Sequence, residues 1–232
     1  MKIQIFKILV TIAVLIFLIF SALVSLSKEK ELSNIKNEDI LISLPSPELD
    51  SGQRGVMGID KNVNEMTLDI YLNRADSVYY DVRMLIDPAK FENIGGDSHL
   101  SGYVDGFEII PYPYLAPVTG LPKQVGKGYS GPTLFSFKNG TYIPNYKESL
   151  NIIENIFPKD KYIFLMCGAG GYAGSTKELL VACGWNPALI YNVGGYWYYE
   201  GNHKIETYIN GEYQFWKVPY HEIDFNKLTK IQ

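Results

Sequence analysis

The chain predicts an α/β domain built on a parallel sheet with helices on both faces, extended by β-hairpins and preceded by an N-terminal transmembrane helix. Three observations carry that expectation. Short apolar strands at 77–80, 162–166 and 188–192 alternate with helical patterns, as parallel sheets covered on both faces require. Two Asn-Gly pairs, Asn139-Gly140 and Asn210-Gly211, sit between alternating segments and signal hairpin turns. Ile8 to Leu26 is a nearly unbroken apolar run with Lys2 and Lys7 before it, about the ~20 residues needed to span a bilayer.

The flanking lysines favour an inside N-terminus, which puts the globular part outside the cytoplasm. An uncleaved anchor over residues 1–27 is the favoured reading. A cleaved signal, which would leave a secreted or periplasmic domain, and a buried core helix are the alternatives, and Ser25-Leu26-Ser27 offers a small-x-small cleavage site. Residues 28–52 read as a polar linker. The domain then occupies 53–232, with a Tyr/Gly/Pro-rich insertion at 101–145 and a C-terminal hairpin at 202–220.

The elements follow in order. Residues 61–76 read as a helix leading into a strand at Ser77–Tyr80, and 87–95 as a helix capped by Asp87 and opened by Pro88. From 101 to 133 little periodicity is present, and the stretch reads as a long irregular loop that walls the site. Leu134 to Ile143 is a hairpin. Leu150, Ile152, Ile153 and Ile156 give a helix over 146–156. Tyr162 to Met166 is a buried strand, Cys167 to Gly174 a glycine-dense turn, and 175–182 a helix ended by Gly184. The last hairpin has arms at 204–209 and 212–218.

Composition narrows the function. The chain has 232 residues, 47% apolar and 20% charged, with a net charge of −4 and no basic cluster, so it is globular and not a nucleic-acid binder. Only Arg54, Arg74 and Arg83 are arginines. The two cysteines flank a helix long enough to hold them beyond disulfide reach, so no intramolecular bridge is expected and Cys183 packs in the core. Three scattered histidines and two cysteines give no metal site. Cys167 ends a strand where a loop feeds a helix N-terminus. Backbone N–H groups converge there, which favours a thiolate, a lowered pKa and nucleophilic character.

Cys167-Gly168-Ala169-Gly170-Gly171-Tyr172-Ala173 resembles the active-site loop of the rhodanese (sulfurtransferase) family, in its thiosulfate and mercaptopyruvate branch. Tyr79-Tyr80-Asp81-Val82-Arg83 resembles the strand ending in Asp-Val-Arg. His99-Leu100-Ser101-Gly102 resembles the His-Ile-Pro-Gly step, with Ile109-Ile110-Pro111-Tyr112 after it. Ile190 to Trp197 resembles the closing strand and its Gly-Gly-x-x-x-Trp turn. Four motifs in the family's order span about 65–200. The chain departs from the family where Tyr172 replaces the arginine of many single-domain members, where Ser101 replaces proline, and in a longer stretch before the cysteine.

The resemblance implies a catalytic Cys167 that carries a persulfide, with Gly168, Ala169, Gly170, Gly171, Tyr172 and Ala173 as its binding loop. Asp81 and Arg83 would support that loop, and His99 would be structural. Arg83 is also the best placed arginine to replace the missing loop cation. Tyr172 points either over the pocket or into the core. Ser175 is expected to cap the helix, and Lys177 could attract anionic donors. The resemblance implies no cofactor and no metal. The partners would be a small sulfur donor, a thiol or cyanide-like acceptor, and a membrane reached through the N-terminal helix. A cysteine phosphatase would need an arginine where Ala173 stands. A dinucleotide site would need an acidic residue where Asn192 stands. A catalytically inactive module that binds through 101–133 and 204–218 is the alternative from a different class.

Overall fold

The computed structural model describes residues 42–83, 100, 102–118, 129, 131–206, 208–213 and 219–231. The N-terminal apolar segment, the expected helix at 87–95 and His99 lie outside these residues. Among the described residues no helix is long and apolar enough to cross a membrane.

Four parallel strands form the central sheet in the order β3-β1-β6-β7. They are β1 (Ser77–Asp81), β3 (Glu108–Ile109), β6 (Tyr162–Cys167) and β7 (Ile190–Gly195). Burial on both sides explains their unbroken apolar character. Phe164 and Met166 face one cluster, with Tyr79, Tyr191 and Val193. Ile163, Leu165 and Cys167 face the other, with Tyr80, Val82 and Ile190. Burying each large apolar side chain contributes roughly 1.5–3 kcal/mol.

The second of these faces carries the helices α1 (Tyr112–Leu115), α2 (Ser149–Ile156) and α3 (Gly171–Ala182). In α3, Tyr172, Ala173, Thr176, Leu179 and Leu180 are buried, the spacing of one helix face. Gly184 ends it in a left-handed conformation, φ 96°. The first face is different. Among the described residues it is covered by turns, the 3-10 segment Leu68–Tyr71 and the pair β2 (Gly102–Val104) and β8 (Lys204–Glu206), not by an α-helix.

Several expectations are therefore corrected. The helix expected over 61–76 is a run of turns and a 3-10 segment, because polar side chains capture the backbone donors a helix would need. Asp60 accepts from the Val63 N–H at 2.7 Å, Asn64 from the Met66 N–H at 3.0 Å, and Thr67 from the Asn64 N–H at 3.1 Å. The irregular stretch after 101 supplies an edge strand of the central sheet, β3, and a strand, β2. The linker also ends early. A compact unit begins at Ser43 rather than 53, held by the Tyr191 hydroxyl on the Pro45 carbonyl at 2.6 Å and a bridge between Leu49 and Asp60.

The first hairpin is present as β4 (Phe135–Lys138) and β5 (Thr141–Pro144), with positive φ at both Asn139 and Gly140. Of the last hairpin, residues 214–218 of the expected second arm lie outside the described residues. Among the described residues β9 (Tyr208–Ile209) and β10 (Glu212–Tyr213) pair around Asn210-Gly211, while β8 in its expected first arm pairs with β2.

Candidate active site

Cys167 is the last residue of β6 and stands opposite Gly195 of β7, just past an irregularity in the register. Three residues, Gly168, Ala169 and Gly170, join it to α3. The turn is possible because Gly170 takes φ 100° as the residue before the helix. Its N–H points back at the Cys167 Sγ at 3.0 Å. The N–H groups of Ala169 and Ala173 also favour charge on the sulfur. The loop thus aims backbone donors at one atom beside a helix N-terminus, an arrangement suited to an anion.

Burial opposes that effect and prevails. Cys167 is 2% exposed. Desolvation pushes its thiol up, the three N–H groups pull it down, and the Asp81 carboxylate adds a small upward push. The lowered pKa expected from the sequence is corrected, because the cradle lies inside the core rather than at its rim. Cys183 is free, like Cys167, and packs partly buried against the same cluster.

Each peptide of the cradle is held from outside by its carbonyl. The Gly168 carbonyl accepts the Trp197 N–H at 3.2 Å. The Ala169 carbonyl accepts Arg54 Nη2 at 3.3 Å. The Gly170 carbonyl accepts the Gly174 N–H and Asn192 Nδ2, both at 2.9 Å. The Tyr172 carbonyl accepts the Thr176 hydroxyl at 2.8 Å. Close packing leaves the turn no slack. A Cβ on Gly168 would stand 2.7 Å from the Trp197 ring, and one on Gly195 would collide with the Gly168 carbonyl.

The expected site residues divide. Gly168, Ala169 and Gly170 form the turn, while Gly171, Tyr172 and Ala173 are the first residues of α3. Tyr172 does not face a pocket. It is 4% exposed and stacks on Tyr112 with centroids 5.2 Å apart. Ser175 does not cap the helix, which starts four residues earlier. Asp81 and Arg83 are fully buried and paired with each other, Nη2 to Oδ2 at 2.6 Å. Arg83 also donates to the Gly102 carbonyl at 2.8 Å and lies over the Tyr196 ring. It anchors β2 to the sheet. Lys177 lines a groove of about 960 Å³ with Glu48 and Asp60, and Gly171 at the start of α3 borders the same groove; desolvation there pulls the Lys177 ammonium pKa down. Among the described residues no group of His, Cys, Asp and Glu converges as a metal site requires.

Comparison with known proteins finds nothing. No family model, curated protein or solved structure matches the chain.

Sequence reasoning missed the segment that grips the loop. Arg54, Met57 and Ile59 come from the stretch between the expected linker (28–52) and the expected helix (61–76), and Glu65 from within that expected helix. Asn192 donates to the Met57 carbonyl at 2.9 Å as well as to Gly170, and accepts the Gly194 N–H at 3.0 Å. Ile59 packs where a Cβ on Gly170 would lie. The one available signal was the scarcity of arginine. Arg54, Arg74 and Arg83 all form ion pairs, with Glu65, Asp76 and Asp81.

Proposed function

We propose that the protein is a rhodanese-like sulfurtransferase that carries a sulfane sulfur on Cys167. The observation that carries this reading is the convergence of the Ala169, Gly170 and Ala173 N–H groups on the Sγ at the end of β6. The Cys167 thiolate would attack the outer sulfur of a donor such as thiosulfate. A Cys167 S–S bond forms, the donor S–S bond breaks, and sulfite leaves with the electron pair. An acceptor thiolate or cyanide then takes the terminal sulfur and returns the Cys167 thiolate. The cradle donors would stabilise negative charge at both stages without having to reorient. An N-terminal anchor that holds this domain at the outer membrane surface belongs to the same proposal.

Intact mass after incubation of the reduced protein with thiosulfate tests the reading. A gain of about one sulfur atom, removed by cyanide as thiocyanate and absent in Cys167→Ser, is the expected result. No gain with thiosulfate, mercaptopyruvate or a low-molecular-weight persulfide overturns it.

The near-complete burial of Cys167 favours a second reading, an inactive binding module. Its surface would then include the cleft of about 310 Å³ lined by Tyr103, Phe107, Glu108, Ile109, Tyr220 and His221.

A further inference from the structure

We infer that Arg54 is the positioning cation of the Cys167 cradle, reaching the loop from the segment before the first strand rather than from the loop itself. This inference rests on Cys167 being the reacting group. The peptide joining Ala169 to Gly170 is the link. Its carbonyl accepts Arg54 Nη2 at 3.3 Å, and its N–H donates to Cys167 Sγ at 3.0 Å. A trans peptide places C=O and N–H on opposite edges of one plane. Arg54 therefore sits across the peptide from the sulfur and acts through it. A cation on the carbonyl oxygen fixes the plane and polarises the N–H toward Sγ. The outer carbonyls of the other peptides meet neutral donors, from Trp197, Asn192, Gly174 and Thr176.

The guanidinium is itself fixed. Nη1 pairs with Glu65 Oε1, and Cζ lies 3.5 Å from the centroid of the Tyr198 ring. The backbone around Arg54 is tight. It precedes the 3-10 segment Gly55–Met57, and Gly58 closes that segment at φ 81°. Asp50 and Ile59 close the loop with a 2.9 Å backbone bond. Arg54 Nε and Glu65 Oε2 are buried without hydrogen-bond partners among the described residues. Such atoms cost stability, so the pair is better explained by what it holds than by its contribution to folding. Glu65 also limits the field of Arg54 at the sulfur. Among the described residues, Asp81 with its partner Arg83 places a further charge pair on the β1 side of Cys167.

The test is the titration of Cys167 in the whole chain, read from the ¹³Cβ shift of labelled cysteine, with Cys183→Ser to assign the two signals. This readout needs no reagent to reach the buried sulfur. Arg54→Met should move the midpoint up by roughly half a unit, a thiolate fraction about three-fold lower at fixed pH. Arg54→Lys should fall between the two. Glu65→Gln should move the midpoint down, since it leaves the cation and removes its counter-charge. A merely structural role for the pair would move both variants the same way. A midpoint unchanged in Arg54→Met, or raised in Glu65→Gln, overturns the inference. Should Arg54→Met fail to fold, Arg54→Lys and Glu65→Gln still decide. The thiosulfate adduct is measured separately. An unreactive wild type refutes sulfur transfer while the opposite shifts still establish the Arg54 coupling.

Discussion

Asn192→Ala removes a side chain that joins the Met57 turn, the cysteine turn and the end of β7. Asn192 is fully buried. Its amide donates to the Met57 and Gly170 carbonyls, both at 2.9 Å, and its carbonyl accepts the Gly194 N–H at 3.0 Å. Alanine loses all three bonds, each worth ~0.5–1.5 kcal/mol net. The consequences differ by site. The Gly170 carbonyl keeps the Gly174 N–H. The Met57 carbonyl and the Gly194 N–H lose the bonds described for them, and a buried group left unsatisfied costs ~1–3 kcal/mol. One lost bond and two unsatisfied groups sum to about 2.5–7.5 kcal/mol. For a domain of this size, at ~2–4 °C per kcal/mol, Tm should fall by roughly 5–30 °C. Urea unfolding with an unchanged m-value, followed by tryptophan fluorescence, measures the loss directly. Asn192→Asp is the control. It keeps the acceptor but puts a carboxylate against two carbonyls, so it should be at least as unstable as the alanine variant. A loss below about 1 kcal/mol in Asn192→Ala would refute the view that this amide ties the segment to the turn.

Two further predictions concern ionised groups. Because burial raises the Cys167 thiol, the folded state prefers it protonated. Its contribution to stability is full below the unfolded value of about 8.5 and is lost as pH rises through the higher folded value. Wild type should therefore lose stability relative to Cys167→Ser between about pH 8 and 10; a difference that stays flat across that window contradicts the assignment. Asp81→Ala leaves the fully buried Arg83 charge without its carboxylate and should cost about 3–5 kcal/mol, measured by chemical denaturation, whereas a cost under about 1 kcal/mol would show the pair to be dispensable.

What was legible in the sequence was local. The strand ending at Cys167, the glycine turn after it and the Asn139-Gly140 hairpin each depend on residues within a few positions of one another, and the structure has them. The register of Asp81 beside Met166 follows from two apolar runs that must lie side by side. The misses have a common cause. Asn64 and Thr67 read as tolerable in a helix, but with Asp60 just before it they bind the local backbone and forbid one. The grip of the N-terminal segment on the turn was invisible for another reason. Its bonds run largely to main-chain carbonyls, those of Met57, Ala169 and Gly170, which carry no side-chain signature. The thiol's raised pKa was missed because donors can be counted from a loop sequence, whereas depth of burial depends on distant residues such as Trp197 and Tyr112.

The buried thiol and its prepared donors are two sides of one design problem. Three N–H groups aimed at a neutral thiol gain little, since a thiol is a weak acceptor. The same groups gain far more once the sulfur carries charge, because they are already oriented and water does not compete. Burial keeps the thiol protonated at neutral pH, and the thiol is the form that resists oxidation. The carbonyls held by Arg54, Asn192 and Trp197 stop the cradle from turning away when no charge is present. Deprotonation of Cys167, not reorganisation of the loop, is then the step that limits its chemistry. The rate of any reaction at this sulfur should follow the thiolate fraction, rising about ten-fold per pH unit below the midpoint. A rate that is flat from pH 6 to 8, measured with the donor at saturation, would mean that the charge resides elsewhere and that the cradle serves the backbone alone.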